Sequence, residues 1–183
     1  MINDILTALW FLLPAAVANA APVIAAKIPA LRRYDAPVDG GRQLGGQDLF
    51  GSHKTWRGFA AGIFISTVIL YIQQLLVTGT DWFNFIEIDY AALPVLILGP
   101  AFAIGALGGD LVESFAKRRI GIGSGKPWLF FDQLDYIIGS VLVSLFFVIL
   151  TPMQYVWIFI VWFLLHLIVS YIGYRIGLKS EPI

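Results

Sequence analysis

Five apolar runs dominate this chain, and the polar loops between them hold most of its charge. The hydrocarbon layer of a bilayer is about 30 Å thick and is crossed by about 20 consecutive apolar residues in a helix. The runs cover about Ile5 to Ala26, Gly58 to Thr78, Ala91 to Ala116, Asp132 to Leu150 and Gln154 to Gly177. In lipid a segment must satisfy its own backbone N–H and C=O groups, which leaves helices as the form such runs take. The chain is 58% hydrophobic and 13% charged, with a mean hydropathy of +0.80. A soluble domain carries about 25% charged residues, so this chain cannot furnish a water-facing surface. The expected fold is all-α, a single membrane domain over 1–183 with five transmembrane helices.

Ala18-Asn19-Ala20 resembles a signal-peptide cleavage site, but the leading segment has Asp4 and no cation, so it is retained as a helix. The chain has no cysteine, which excludes disulfides and thiolate metal sites. Zero net charge and the absence of a basic tail give no reason to expect a nucleic-acid partner.

Charge sets the expected orientation. Loop 27–57 holds Lys27, Arg32, Arg33, Arg42, Lys54 and Arg57. Loop 117–131 holds Lys117, Arg118, Arg119 and Lys126, and Arg175 and Lys179 lie near the C-terminus, which accounts for all 12 cations. The other ends of the runs carry Asp4, Asp81, Glu87 and Asp89. The positive-inside bias therefore puts both long loops and the C-terminus in the cytoplasm and the N-terminus outside. Glycines recur at helix-packing spacing as Gly58/Gly62, Gly105/Gly109 and Gly173/Gly177. Gly108 and Gly109, directly before Asp110, are also placed to leave room for a ligand.

The chemistry gathers around that aspartate. Asp110 lies two helical turns before Lys117, below the expected membrane surface, where an ionised carboxylate needs a partner and marks a functional site. Asp110, Glu113, Ser114 and Lys117 share one helix face. A Glu113–Lys117 ladder that only neutralises a helix end is the plainer reading of that pair. Asp132 and Asp135 stand three apart at the start of the fourth run. An N-cap explains Asp132, but not Asp135, one turn inside an apolar helix. Oxygen ligands from separate elements, with open positions, suit a Mg²⁺ that also holds phosphates.

Lys117-Arg118-Arg119, the Gly-rich stretch 120–125 and Lys126 resemble an anion site, since glycine lets backbone N–H groups approach phosphates. Lys54-Thr55 sits in a glycine-containing loop at a helix start, where phosphate can bind, although His53 replaces the glycine a P-loop requires. Asn19 is polar within the first run and either lines the cavity or ties helices together. His53 and His166 lack ligand spacing, and Gln73 and Gln74 are expected to face neighbours or headgroups.

Taken together, Gly109-Asp110-Leu111, Ser114, Lys117-Arg118-Arg119 and Asp132-Gln133-Leu134-Asp135 resemble the signature of the membrane CTP-dependent cytidylyltransferases. Within that group the chain looks most like the CDP-archaeol synthases. The small size, the Leu13-to-Pro22 segment and Lys54-Thr55-Trp56-x-Gly58 support this branch. The Pro-Gly-His-Gly-Gly approach of the CDP-diacylglycerol synthases is replaced by Lys126-Pro127-Trp128-Leu129-Phe130-Phe131, and Gln133 stands where they have Arg. Both differences point away from phosphatidate.

The resemblance implies that CMP passes from CTP to a 2,3-di-O-geranylgeranylglycerol 1-phosphate type lipid, giving CDP-archaeol and pyrophosphate. It further implies Mg²⁺ on Asp110, Asp132 and Asp135, with Lys117 also catalytic. Asn19, Lys54, Thr55, Glu113, Ser114, Arg118, Arg119 and Lys126 would bind substrates, and the site would face the cytoplasm. The alternatives are action on phosphatidate, or a small transporter using Asp110 and Glu113 as a relay. Five spans do not divide into the paired repeats that transporters show.

Overall fold

The computed structural model describes residues 1–123 and 126–177, so Ser124, Gly125 and Lys179, used in the sequence argument, lie outside the described residues. Among the described residues five α-helices follow one another: α1 (Ile2–Lys27), α2 (Trp56–Gly79), α3 (Val95–Arg119), α4 (Phe131–Ser144) and α5 (Pro152–Arg175). Four of them, α1, α2, α3 and α5, are long and apolar enough to cross a membrane.

The fourth run behaves differently from the expected helix over 132–150. Helix α4 stops at Ser144 after 14 residues, about 21 Å at 1.5 Å per residue, which is short of the hydrocarbon thickness. Turn hydrogen bonds from Phe146, Phe147 and Val148 close its end. Leu150 then joins the same buried cluster as Leu93 and Val95 at the far end of the bundle. A β-branched and aromatic stretch, Leu145 to Leu150, is apolar enough to continue a span but is not helical.

Helix α1 lies at the centre, touching each of the other four helices. Its buried stripe includes Ala8, Phe11, Leu12, Ala15 and Ala18. Small residues set the levels at which the helices meet. A side chain on Gly62 would run into Leu107 and the carbonyl of Ala18, and one on Gly58 would meet Pro22. Gly177, expected as a packing glycine, instead has φ +73 just beyond α5 and ends that helix, its carbonyl accepting the Lys27 ammonium at 3.2 Å. At the acidic end, the Gln73 amide donates to the Trp10 carbonyl at 2.6 Å, and the Gln74 amide to the Tyr90 carbonyl at 2.7 Å.

The loop after α1 is built, not loose. It carries a hairpin, β1 (Gln43–Leu44) with β2 (Gln47–Asp48), closed by Gly45 and Gly46 at φ 63 and 77. A two-residue turn with positive φ at both positions matches the twist of paired strands, and glycine takes it without strain. Both oxygens of the Asp39 carboxylate are used in this loop, accepting from the N–H of Gly41 at 2.9 Å and of Phe50 at 3.1 Å.

Candidate active site

Helices α3 and α4 run antiparallel with their backbones in contact, and that contact builds the site. A Cβ on Gly105 would stand 2.6 Å from the Gly139 carbonyl oxygen. One on Gly139 would strike the Gly105 carbonyl in turn, and one on Gly109 the carbonyl of Asp135. Only glycine permits this approach, and it lays Asp110 of α3 against Asp135 of α4. The room that Gly109 leaves is thus taken by the α4 backbone, whereas Gly108 has open space beside it.

Carboxylate oxygens of Asp110, Glu113 and Asp135 all lie within 4.8 Å of one another. Glu113 is buried and the two aspartates are half-buried. Two lysines close the cluster at either side. The Lys54 ammonium touches both oxygens of Asp110, at 2.6 and 2.7 Å. Lys117, only 7% exposed, reaches Glu113 at 3.0 Å and Asp132 at 2.7 Å. The second Asp132 oxygen accepts the Trp128 N–H at 3.1 Å, which folds the chain into the first turn of α4. Asp132 adjoins the group through Lys117 and beside Glu113, and Glu113 occupies the third corner of the oxygen triangle with Asp110 and Asp135.

Among the described residues, four carboxylates gather here, and Lys54 and Lys117 pair with three of them, Asp110, Glu113 and Asp132. Uncompensated charge out of water is costly, and three hard oxygen donors at this spacing suit a divalent cation such as Mg²⁺, which also keeps positions open for phosphates. The residues fit such an ion.

The remaining sequence candidates are placed by their own elements. Ser114 is buried on α3, and Asn19 is half-buried one residue beyond Ala18. The Thr55 hydroxyl accepts the Gly58 N–H at 3.3 Å and caps α2. Buried Arg118 donates to the Ile122 carbonyl in the turn that ends α3, where Gly121 has φ +82. Arg119 turns to the hairpin, donating to the carbonyls of Leu44 at 2.6 Å and Asp48 at 2.8 Å. Lys126 is exposed. His53 is exposed in the loop, and the His166 ring lies 5.5 Å from that of Tyr136. Sequence reasoning overlooked Gly139. Its position four residues after Asp135, on the same helix face, was the available signal.

Comparison with known proteins then decides what this site belongs to. A family profile described as CarS-like, CDP-archaeol synthase, matches residues 1–183. The chain belongs to the CDP-archaeol synthase family. The CDP-archaeol synthase of Thermococcus kodakarensis is 34% identical over 182 residues, covering 99% of this chain and 98% of that one. That of Methanosphaerula palustris is 42% identical over 153 residues, with 80% and 89% covered. That of Methanocaldococcus jannaschii is 36% identical, with 94% and 93% covered. A solved structure described as an intramembrane enzyme for archaeal membrane lipids biosynthesis matches with a TM-score of 0.73 and 34% identity, covering 91% of this chain and 94% of that one. This family member is accordingly a multi-pass membrane enzyme of the nucleotidyltransferase type that forms CDP-archaeol. It draws on a nucleotide and on a lipid in the membrane, and its acidic cluster can hold a metal ion.

Proposed function

We propose that the nucleotide is CTP, that the lipid is a 2,3-di-O-geranylgeranylglycerol 1-phosphate type molecule, and that the reaction runs on the cytoplasmic side with Mg²⁺. The observation that carries this reading is the gathering of Asp110, Glu113 and Asp135 from two helices at the basic end of the bundle, with carboxylate oxygens within 4.8 Å of one another and a lysine on either side. Asp110, Glu113 and Asp135 are the residues assigned to hold the ion, which when bound would neutralise the triphosphate and the departing pyrophosphate.

A phosphate oxygen of the lipid attacks the α-phosphorus of CTP, forming a new P–O bond as the bond to the β-phosphate bridge breaks. The electron pair leaves on pyrophosphate, and an already anionic nucleophile needs no base to take a proton. Catalysis then rests on positioning and charge. Lys54 enters from the loop side and Lys117 from the α3 side, so the phosphates meet a cation on each flank. Asp132 and Glu113 hold the Lys117 ammonium in place. Thr55 fixes Lys54 by anchoring the start of α2 one residue later. Asn19, Ser114, Arg118 and Lys126 remain assigned to substrate contacts.

The test is transfer from labelled CTP to a panel of lipid phosphates, ether-isoprenoid against diacyl, with and without Mg²⁺. Selective, Mg²⁺-dependent labelling of the ether lipid is expected. Equal labelling of phosphatidate would overturn the lipid assignment, and full turnover after chelation would overturn the metal.

A further inference from the structure

Arg119 lies outside the carboxylate cluster and was expected to bind phosphate. Its guanidinium donates to three backbone carbonyls of the hairpin: Leu44 at 2.6 Å, Asp48 at 2.8 Å and Gln47 at 3.4 Å. A planar fork suits such multiple acceptance, and a lysine ammonium cannot reproduce it. The same guanidinium lies 5.2 Å over the Phe115 ring, and Phe115 meets Phe50 edge-on at 6.5 Å. The Phe50 N–H is in turn held by Asp39. Arg119, Phe115 and Phe50 therefore dock the loop on the last turns of α3.

Four residues beyond Phe50 stands Lys54. Its carbonyl accepts the Val38 N–H at 2.8 Å, and the Trp56 N–H reaches the Ala36 carbonyl at 3.1 Å, so the loop returns as a closed unit. That unit meets α3 at two places, the Arg119 clamp and the Lys54–Asp110 pair. Holding one fixes the other, because a short hydrogen-bonded segment connects them.

We propose that Arg119 is a positioning residue that does not touch the nucleotide: it clamps the 43–48 hairpin onto α3 so that Lys54 stands over the carboxylate cluster. The inference rests on the reading of Lys54 as the phosphate-facing cation of the loop. Its first consequence, however, concerns the loop alone.

The experiment compares wild type with Arg119→Lys, Arg119→Ala and Phe50→Ala, all in lipid nanodiscs. Backbone hydrogen exchange of residues 42–50, read without nucleotide or metal, is expected to rise in all three variants, with the five helices unchanged. CMP-transfer kinetics are then run in the wild-type and Lys54→Met backgrounds. Each variant is expected to lower kcat/KM about tenfold or more in the wild-type background and less than about twofold where Lys54 is already gone. Retention of both hairpin protection and activity by Arg119→Lys would overturn the proposal, since a phosphate contact needs only charge. Equal losses in the two backgrounds would also overturn it. Raised exchange with no CTP-dependent turnover by wild type would leave the clamp standing and strike the functional reading instead.

Discussion

Replacing Gly105 by alanine tests whether the α3–α4 backbone contact sets the site's geometry. The added Cβ would stand 2.6 Å from the Gly139 carbonyl oxygen, 2.9 Å from the Ser140 Cα and 3.0 Å from the Gly139 carbonyl carbon. All three are backbone atoms, so no side chain can swing away. Ordinary contact begins at 3.4 Å, and the helices must part by about 0.8 Å at this level. Metal–oxygen distances tolerate only about 0.2 Å, and the ligands from α3 and α4 straddle the seam just one turn away. A misplacement near 1 Å costs about a hundredfold in rate, so kcat/KM for CMP transfer is expected to fall about 10²-fold. Mn²⁺ affinity, read by its paramagnetic resonance in nanodiscs, is expected to fall with it. Helix content is expected to hold, since alanine favours helix over glycine by about 1 kcal/mol. Gly79→Ala, at the end of α2 with nothing within 4 Å of its Cβ, is the control and should match wild type. Unaltered turnover and Mn²⁺ affinity in Gly105→Ala would refute the argument that this seam positions the ligands.

Further expectations follow from the same contacts. Asp135→Asn replaces one oxygen donor of the triangle by an amide nitrogen and is expected to lower kcat/KM about 10²- to 10³-fold with the protein still folded, on the scale of a lost electrostatic group at the reacting centre; wild-type kinetics would remove Asp135 from the site. Lys117→Met leaves Glu113 and Asp132 facing each other without their cation, and should destabilise the fold by about 3 kcal/mol at most, given that Asp132 is partly exposed. Thermal unfolding in nanodiscs measures this, and adding Asp132→Leu should recover part of the loss; no recovery would argue against the pairing. Chelation followed by gel filtration should abolish transfer and added Mg²⁺ should restore it, whereas persistent activity in the chelated protein would exclude a metal role.

The membrane character of this protein was legible from composition and run length, because apolar helices of about 20 residues satisfy their backbones locally. Four of the five runs became helices long enough to span. The fourth did not, since hydropathy reports solvent preference and not helix length, and the chain past Ser144 leaves the helix while remaining apolar. Chemistry was legible where it was local: Asp110, Glu113 and Lys117 share a face by helical period alone, and the lysine does bridge to Glu113 at 3.0 Å.

What the sequence determined unaided was the class of molecule and the kinds of residue at its centre, both consequences of local periodicity and of the cost of charge in lipid. Which acids meet was decided only by tertiary structure. Glu113, not Asp132, completes the triangle with Asp110 and Asp135, because the glycine contacts fix how far α4 slides and rotates against α3. Arg119 likewise donates to three carbonyls of a hairpin distant in sequence, a contact that helical period does not announce. Contacts between distant segments depend on helix register and loop docking, and no spacing along one chain segment encodes either.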